Sequence, residues 1–205
     1  RENEVDLVML ADRVRPADIA RLRKEGGGLI CVAIHPKAAD NFGLPYLTEI
    51  YEKAGADFPV LNLARPYDLP YDERSAFSIA VNHRTTYTGI TDADRALTIR
   101  RLGELTKIAM ERNAIEEFGK EFRTPGHVPI LRAAEGLLGV RRGHTELAVT
   151  LALLAKETPA VVVCEMLDEK TERALSADEA KSYAERNGSV LVEGEEIERE
   201  WRRWV

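Results

Sequence analysis

Residues 160–166 read AVVVCEM. Five apolar residues without a break, three of them valine, predict a short strand covered on both faces rather than one with a wet side. Glu165 closes the run. Burying a carboxylate costs several kcal/mol unless it is paired or protonated. Glu165 is therefore expected at the strand end, beside a partner, or in a functional role. Upstream, 141–157 (RRGHTELAVTLALLAKE) reads as a loop that delivers a helix. Downstream, Ser176 and Glu179 form a capping box for a helix over 177–188. SVLVEG (189–194) reads as a strand and EEIEREWRRW (195–204) as a terminal helix.

Further out, LICVAI (29–34) and AFSIAVN (76–82) are also strand-like. Pro16 suits the first turn of a helix through 17–25, which Gly26, Gly27 and Gly28 stop. The glycine run stands before a strand, the wrong order for a phosphate loop. Helix termination is its expected role, with close backbone approach to a ligand as the alternative. A short helical piece is expected at 36–43. Residues 44–74 mix aromatic, Pro and charged residues and read as a long excursion with helical or hairpin pieces. Thr91, with Asp94 three residues on, caps a helix over 92–105. Helical character continues from 107 to Gly119, and RTPGHVP (123–129) reads as a turn. Strands alternate with helices, so the expected fold is α+β: one domain over 1–205, with a mixed sheet covered by helices in layers.

The whole chain agrees with that reading. Its 205 residues are 31% charged and 44% hydrophobic with ordinary Gly and Pro, the composition of a folded domain and not of a linker or tail. No stretch approaches the ~18 apolar residues of a membrane helix, so no membrane partner is expected. A net charge of −6 argues against nucleic-acid binding by bulk electrostatics. Only two cysteines, Cys31 and Cys164, occur, each inside an apolar run. Two buried thiols, no disulfide framework and a reducing cytoplasm are expected. Opening on Arg1 inside a polar cluster, rather than on Met, predicts that further residues precede it.

Four places could carry chemistry. In RENEVD (1–6), an extended backbone would put Glu2, Glu4 and Asp6 on one face. That is either a solvated surface or an oxygen-ligand site for Mg2+, which takes one or two carboxylates plus waters and substrate oxygens. In RRGHTE (141–146), Arg141 and Thr145 at a helix start suit a phosphate, and His144 suits a metal or a proton. Ordinary capping is the competing explanation. His127, in the Pro/Gly-bounded RTPGHVP, is a candidate acid or base. Glu165 is the fourth. No G-x-G-x-x-G, Walker A, H-E-x-x-H or G-x-S-x-G pattern occurs.

Taken together and in order, RENEVD, GGLICVAI, the stretch from SAFSIAVNHRTTYTGI to RRL, FRTPGHVPILRAAEGLL, RRGHTELAV and VVVCEM resemble 3,4-dihydroxy-2-butanone 4-phosphate synthase. The archaeal single-domain form is the nearest in pattern. Val5 replaces a small residue common in the opening motif, and the acidic residues that the family carries just upstream are not in this chain. The resemblance implies Mg2+-dependent (or Mn2+-dependent) conversion of D-ribulose 5-phosphate to L-3,4-dihydroxy-2-butanone 4-phosphate and formate in riboflavin biosynthesis. No organic cofactor is implied. Glu2 and His144 would bind two metal ions per site, and both would also meet substrate. Arg141 and Thr145 would hold the phosphate. Arg1, Glu4 and Asp6 would surround the sugar, with Glu4 and Asp6 counted among the catalytic groups beside His127 and Glu165. The enzyme would be a homodimer with Thr88 reaching a phosphate across the interface. Another Mg2+-dependent sugar-phosphate lyase or isomerase, and a noncatalytic ligand-binding domain, are the competing readings.

Overall fold

The computed structural model describes residues 4–64 and 75–204. In chain order the strands are β1 (Asp6–Leu10), β2 (Cys31–Ile34), β3 (Phe77–His83), β4 (Phe122–Arg132), β5 (Ala160–Glu165), β6 (Leu167–Asp168) and β7 (Arg173–Ala174). The α-helices are α1 (Pro16–Arg21), α2 (Pro36–Asn41), α3 (Leu47–Ala54), α4 (Pro59–Leu63), α5 (Asp92–Ala109), α6 (Ile115–Glu121), α7 (His144–Leu154), α8 (Ala177–Asn187) and α9 (Gly194–Trp204). Five strands form one sheet in the order β1-β5-β2-β4-β3, and β6 and β7 make a separate two-stranded ribbon. The β2–β4 pair is parallel and the others in the sheet are antiparallel, so the sheet is mixed as expected.

Alternation along the central strands sends side chains to two separate cores. Val32, Ile34, Val162, Cys164, Val128 and Ile130 pack against α1, α2 and α5. Cys31, Ala33, Val161 and Val163 pack against Ala148, Val149 and Ala152 of α7, with Trp201 of α9 outside them. The apolar run 160–164 is thus explained by helices on both faces of β5. Both cysteines are buried and reduced.

Local signals act where the sequence places them. Pro16 opens α1, and the helix ends through a π turn over Leu22–Gly26, with Gly27 at a φ of 88° turning the chain toward β2. Thr91 Oγ1 accepts from Asp94 N, and Ser176 Oγ accepts from Glu179 N. The excursion after residue 44 contains α3 and α4, while 65–74 lie outside the described residues.

Four expectations need correction. RTPGHVP is not a turn between elements but part of β4, the longest strand described. The β3–β4 ladder pairs Val81 with Val128 and Asn82 with Arg123, so Thr124–His127 bulge out between two paired stretches. Pro125, which has no N–H to give a ladder, is tolerated there. SVLVEG is not a strand. Ser189 N is bonded back to Ala184 O as α8 ends, and Glu193 N to Glu196 Oε2 as α9 begins, so the two caps take both ends of the segment. The helix expected to run on from 107 to 119 breaks after Ala109. Ala114 N bonds to Asn41 O and Asn113 Oδ1 accepts from Ile115 N, which restarts the chain as α6. The strand in LICVAI is limited to Cys31–Ile34.

Candidate active site

One end of the sheet gathers most of the polar candidates. Asp6, the first residue of β1, pairs with Glu165, the last of β5. Both follow the phase of Val161 and Val163 and so project on the α7 face. Before Cys31 the β2–β5 register slips by one, since Gly27 bridges Met166, and this brings Gly28 N to Glu165 O. Asn82 of β3 then meets His127 directly, with Asn82 Oδ1 accepting from His127 N at 2.8 Å. Asp6 and Glu165 are therefore side by side at one end of the sheet, and the β3–β4 bulge that carries His127 and meets Asn82 lies toward the same end.

Glu165 is half-buried and held from below. Leu29 N donates to Glu165 Oε2 at 2.8 Å, and Gly28 N donates to Glu165 O at 3.0 Å. Glycine is required at position 28, because a Cβ there would stand 2.7 Å from both Glu165 Cβ and Glu165 O. The glycine run thus ends a helix, as expected, and its close backbone approach is to Glu165. Two thiols feel the same carboxylates. Burial raises the Cys31 pKa far above its ordinary value, and the charges of Glu165, Cys164 and Asp6 raise it further. Burial, then Glu165, pushes Cys164 up to about 11. Both are thiols rather than thiolates at neutral pH, and neither serves as a nucleophile there.

The second half of the site is the start of α7. Gly143 is the N-cap and His144 the first helical residue. The His144 Nε2 lies 3.0 Å from Glu4 O. A carbonyl only accepts, so Nε2 carries the hydrogen and Nδ1 the lone pair of the neutral ring. That bond also brings the start of α7 to the same sheet end as Asp6. Thr145 is buried at 5% exposure, and Glu146 beside it is fully buried. Arg141 Nη1 donates to Glu146 Oε2 at 2.5 Å, and Ala134 N donates to Glu146 Oε1 at 2.8 Å. Arg141 is thereby pinned across the first turn of α7, where helix N–H groups and a guanidinium favour an anion.

Among the described residues, no three His, Cys, Asp or Glu side chains form a cluster that could hold a metal. His144 suits a site of another kind. A ring nitrogen fixed through a backbone carbonyl on its far side is a common way to orient a metal ligand. An ion such as Mg2+ takes few protein ligands, the rest being water and substrate oxygens. The expected carboxylate ligand, Glu2, and also Arg1, lie outside the described residues. A cavity of about 680 Å3 borders this region, with Glu4, Asp6 and His144 in its wall beside Leu147, Val192 and Ile197. His127, Glu165, Arg141 and Thr145 are not in that wall, so this mostly apolar space takes in only part of the candidate set.

The structure thus brings Asp6, Glu165 and His127 to one end of the sheet, and Glu4, His144, Thr145 and Arg141 around the start of α7. Thr88 sits in the loop after β3, exposed like Tyr87 and Ile90 next to it, with its carbonyl accepting from Asn82 Nδ2 at 3.3 Å. Sequence reading missed Glu146 and Asn82. The signal for Glu146 is an acidic residue in the first turn straight after an arginine pair, which capping explains equally well. The signal for Asn82 is a polar residue ending an apolar strand.

Residues 1–200 match the family model described as 3,4-dihydroxy-2-butanone 4-phosphate synthase. The chain is 50% identical over 207 residues to the 3,4-dihydroxy-2-butanone 4-phosphate synthase of Methanosarcina acetivorans, covering 100% of this chain and 83% of that protein. It is 47% identical over 205 residues to the synthase of the same name from Archaeoglobus fulgidus, with 100% and 86% covered. It also resembles a solved structure of a 3,4-dihydroxy-2-butanone 4-phosphate synthase in complex with two magnesium ions. That similarity has a TM-score of 0.69 and 29% identity, over 96% of this chain and 84% of the other.

Proposed function

The chain belongs to the 3,4-dihydroxy-2-butanone 4-phosphate synthase family, and on that premise we propose that it converts D-ribulose 5-phosphate to L-3,4-dihydroxy-2-butanone 4-phosphate and formate. Membership makes it an enzyme of riboflavin biosynthesis, a lyase. The observation that carries the substrate reading is the shared sheet end: two paired carboxylate positions, with a histidine on the bulge at the same end, beside a helix start with an arginine pinned over it.

Glu2 and His144 would hold Mg2+ or Mn2+, two ions per site. When bound, such ions would supply Lewis-acid stabilisation of the negative charge that develops on enolisation. The protein's own groups do the rest. Arg141 cannot usefully lose a proton and serves to bind, with Thr145, the phosphate. Arg1, Glu4 and Asp6 surround the sugar. Glu165 and His127 move protons, and their separation across two strands suits action at different atoms of an extended sugar phosphate. Thr88, exposed on its loop, would reach a phosphate across the interface of a homodimer, and sedimentation showing only monomer would count against that role. The cytoplasm is the expected compartment. Among the described residues no helix is long and apolar enough to cross a membrane.

The test is formate release from D-ribulose 5-phosphate, first with Mg2+ and then with excess EDTA. Metal-dependent formate is expected; its absence in both conditions overturns the assignment of substrate. Arg141→Ala should raise KM by about 10- to 100-fold, the worth of a hydrogen bond to a charged group, with a smaller change in kcat. An unchanged KM removes Arg141 from the phosphate site.

A further inference from the structure

Asn82 is the last buried polar side chain of β3, at 4% exposure. A buried amide is costly unless its hydrogen-bonding groups are matched. Here Oδ1 accepts from the His127 backbone N–H at 2.8 Å, and Nδ2 donates to Thr88 O at 3.3 Å. These two bonds fix which end of the amide is which, since an N–H needs an acceptor and a carbonyl needs a donor. The ring Nδ1 of His127 then lies 3.1 Å from Asn82 Nδ2 and 3.3 Å from Oδ1. With Nδ1 unprotonated, both amide hydrogens find acceptors and Oδ1 keeps its backbone donor. With Nδ1 protonated, its hydrogen would have only Oδ1 at 3.3 Å, which already accepts from His127 N, and would crowd the Nδ2 hydrogens at the shorter 3.1 Å. Gly89, at a φ of 89°, presses its backbone so close to this amide that a Cβ would strike it.

We propose that Asn82 is a positioning residue for His127: it holds Nδ1 as an acceptor, keeps the ring hydrogen on Nε2, and so makes His127 a hydrogen-bond donor to the substrate rather than the base that takes its first proton. A neutral imidazole with hydrogen on Nε2 has no lone pair there, and its Nδ1 lone pair is engaged by the amide. The first proton then falls to a carboxylate, and Glu165, with one oxygen anchored by Leu29 N at the same end of the sheet, is the group assigned to it. The same amide joins two segments that lie outside the ladder, the bulge at Thr124–His127 and the loop carrying Thr88. The kinetic part of this inference rests on the proposed function, whereas the hold on the ring does not.

The experiment is 15N NMR of histidine-labelled protein at a pH above the ring's titration, together with steady-state kinetics. In the native protein His127 should show a protonated Nε2 and a bare Nδ1. Asn82→Asp keeps the shape and supplies only acceptors, so the hydrogen should move to Nδ1, and kcat should fall about 10- to 100-fold with KM changing far less. Asn82→Ala, which buries no charge, should give a mixture of tautomers and a similar loss. In a His127→Ser background Asn82→Ala should cost nothing further in kcat, which a merely structural role would not produce. A native spectrum with Nδ1 protonated overturns the proposal. So does Asn82→Asp with a reversed tautomer and native kcat, or full additivity in the double variant. If the native protein releases no formate, the reading of function fails, and the tautomer spectrum still decides whether Asn82 holds the ring.

Discussion

At the first turn of α7 a carboxylate is sealed in; at the end of β5 another is left half open. Glu146 has no exposed surface, and both of its oxygens are engaged, one by Arg141 and one by Ala134 N. Glu165 is less buried, and a single backbone N–H reaches its side chain at 2.8 Å. The more buried acid has both oxygens taken, one by a guanidinium and one by a backbone N–H, and its part is to hold Arg141 in place. Depth therefore does not mark the working acid. Glu165, anchored but accessible, is the carboxylate proposed for proton transfer.

The contrast can be broken by substitution. Glu165→Gln should lower kcat by about 10²–10⁴-fold, the usual worth of a positioned acid or base, with little change in Tm. His127→Ser should also lose turnover while substrate still binds, and native turnover in either variant removes that residue from the mechanism. Glu146→Ala should do the reverse, striking stability first. Removing one partner of a buried ion pair costs about 3–5 kcal/mol, roughly 6–20 °C in Tm for a domain of this size. A calorimetric scan matching the native one would mean that the Arg141 pair does not hold the turn. Gly28→Ala tests the anchoring from beneath. The added methyl forces Glu165 aside at a cost of about 1–3 kcal/mol, and kcat should fall at least about tenfold. Gly139→Ala, where the methyl meets nothing within 4 Å, is the control for an innocuous glycine change. Smallest of all, Thr91→Ala removes the cap of α5 and should cost about 1 kcal/mol, or roughly 2–4 °C, with kcat unaffected.

Much of this was readable along the chain. Pro16, Thr91 and Ser176 each act within one helical turn, so a window of four residues contains the whole interaction, and all three helix starts fall where they are read. The run 160–164 announces its two covered faces because alternation needs no partner to be recognised. The failures share a cause. SVLVEG has the residues of a strand but no neighbour to pair with, and pairing is a long-range fact. RTPGHVP has the residues of a turn, yet β3 pairs with the strand on both sides of it and turns it into a bulge. Asn82 and Glu146 were missed because part of what holds each lies far along the chain, His127 at 45 residues and Ala134 at 12, beyond the nearer Thr88 and Arg141.

By itself the sequence determined the alternation of helices and strands, the capping of helices, the burial of the cysteines, and a set of charged and hydroxylated residues suited to a sugar phosphate and a divalent ion. Each of these rests on residue type or on neighbours within a turn of chain. Only the tertiary structure decided that Glu165 pairs with Asp6, that His127 comes to the same end of the sheet, and that Gly28 must be a glycine to carry Glu165. Those facts depend on register between strands far apart in the chain. A shift of one residue would send every such side chain to the opposite face.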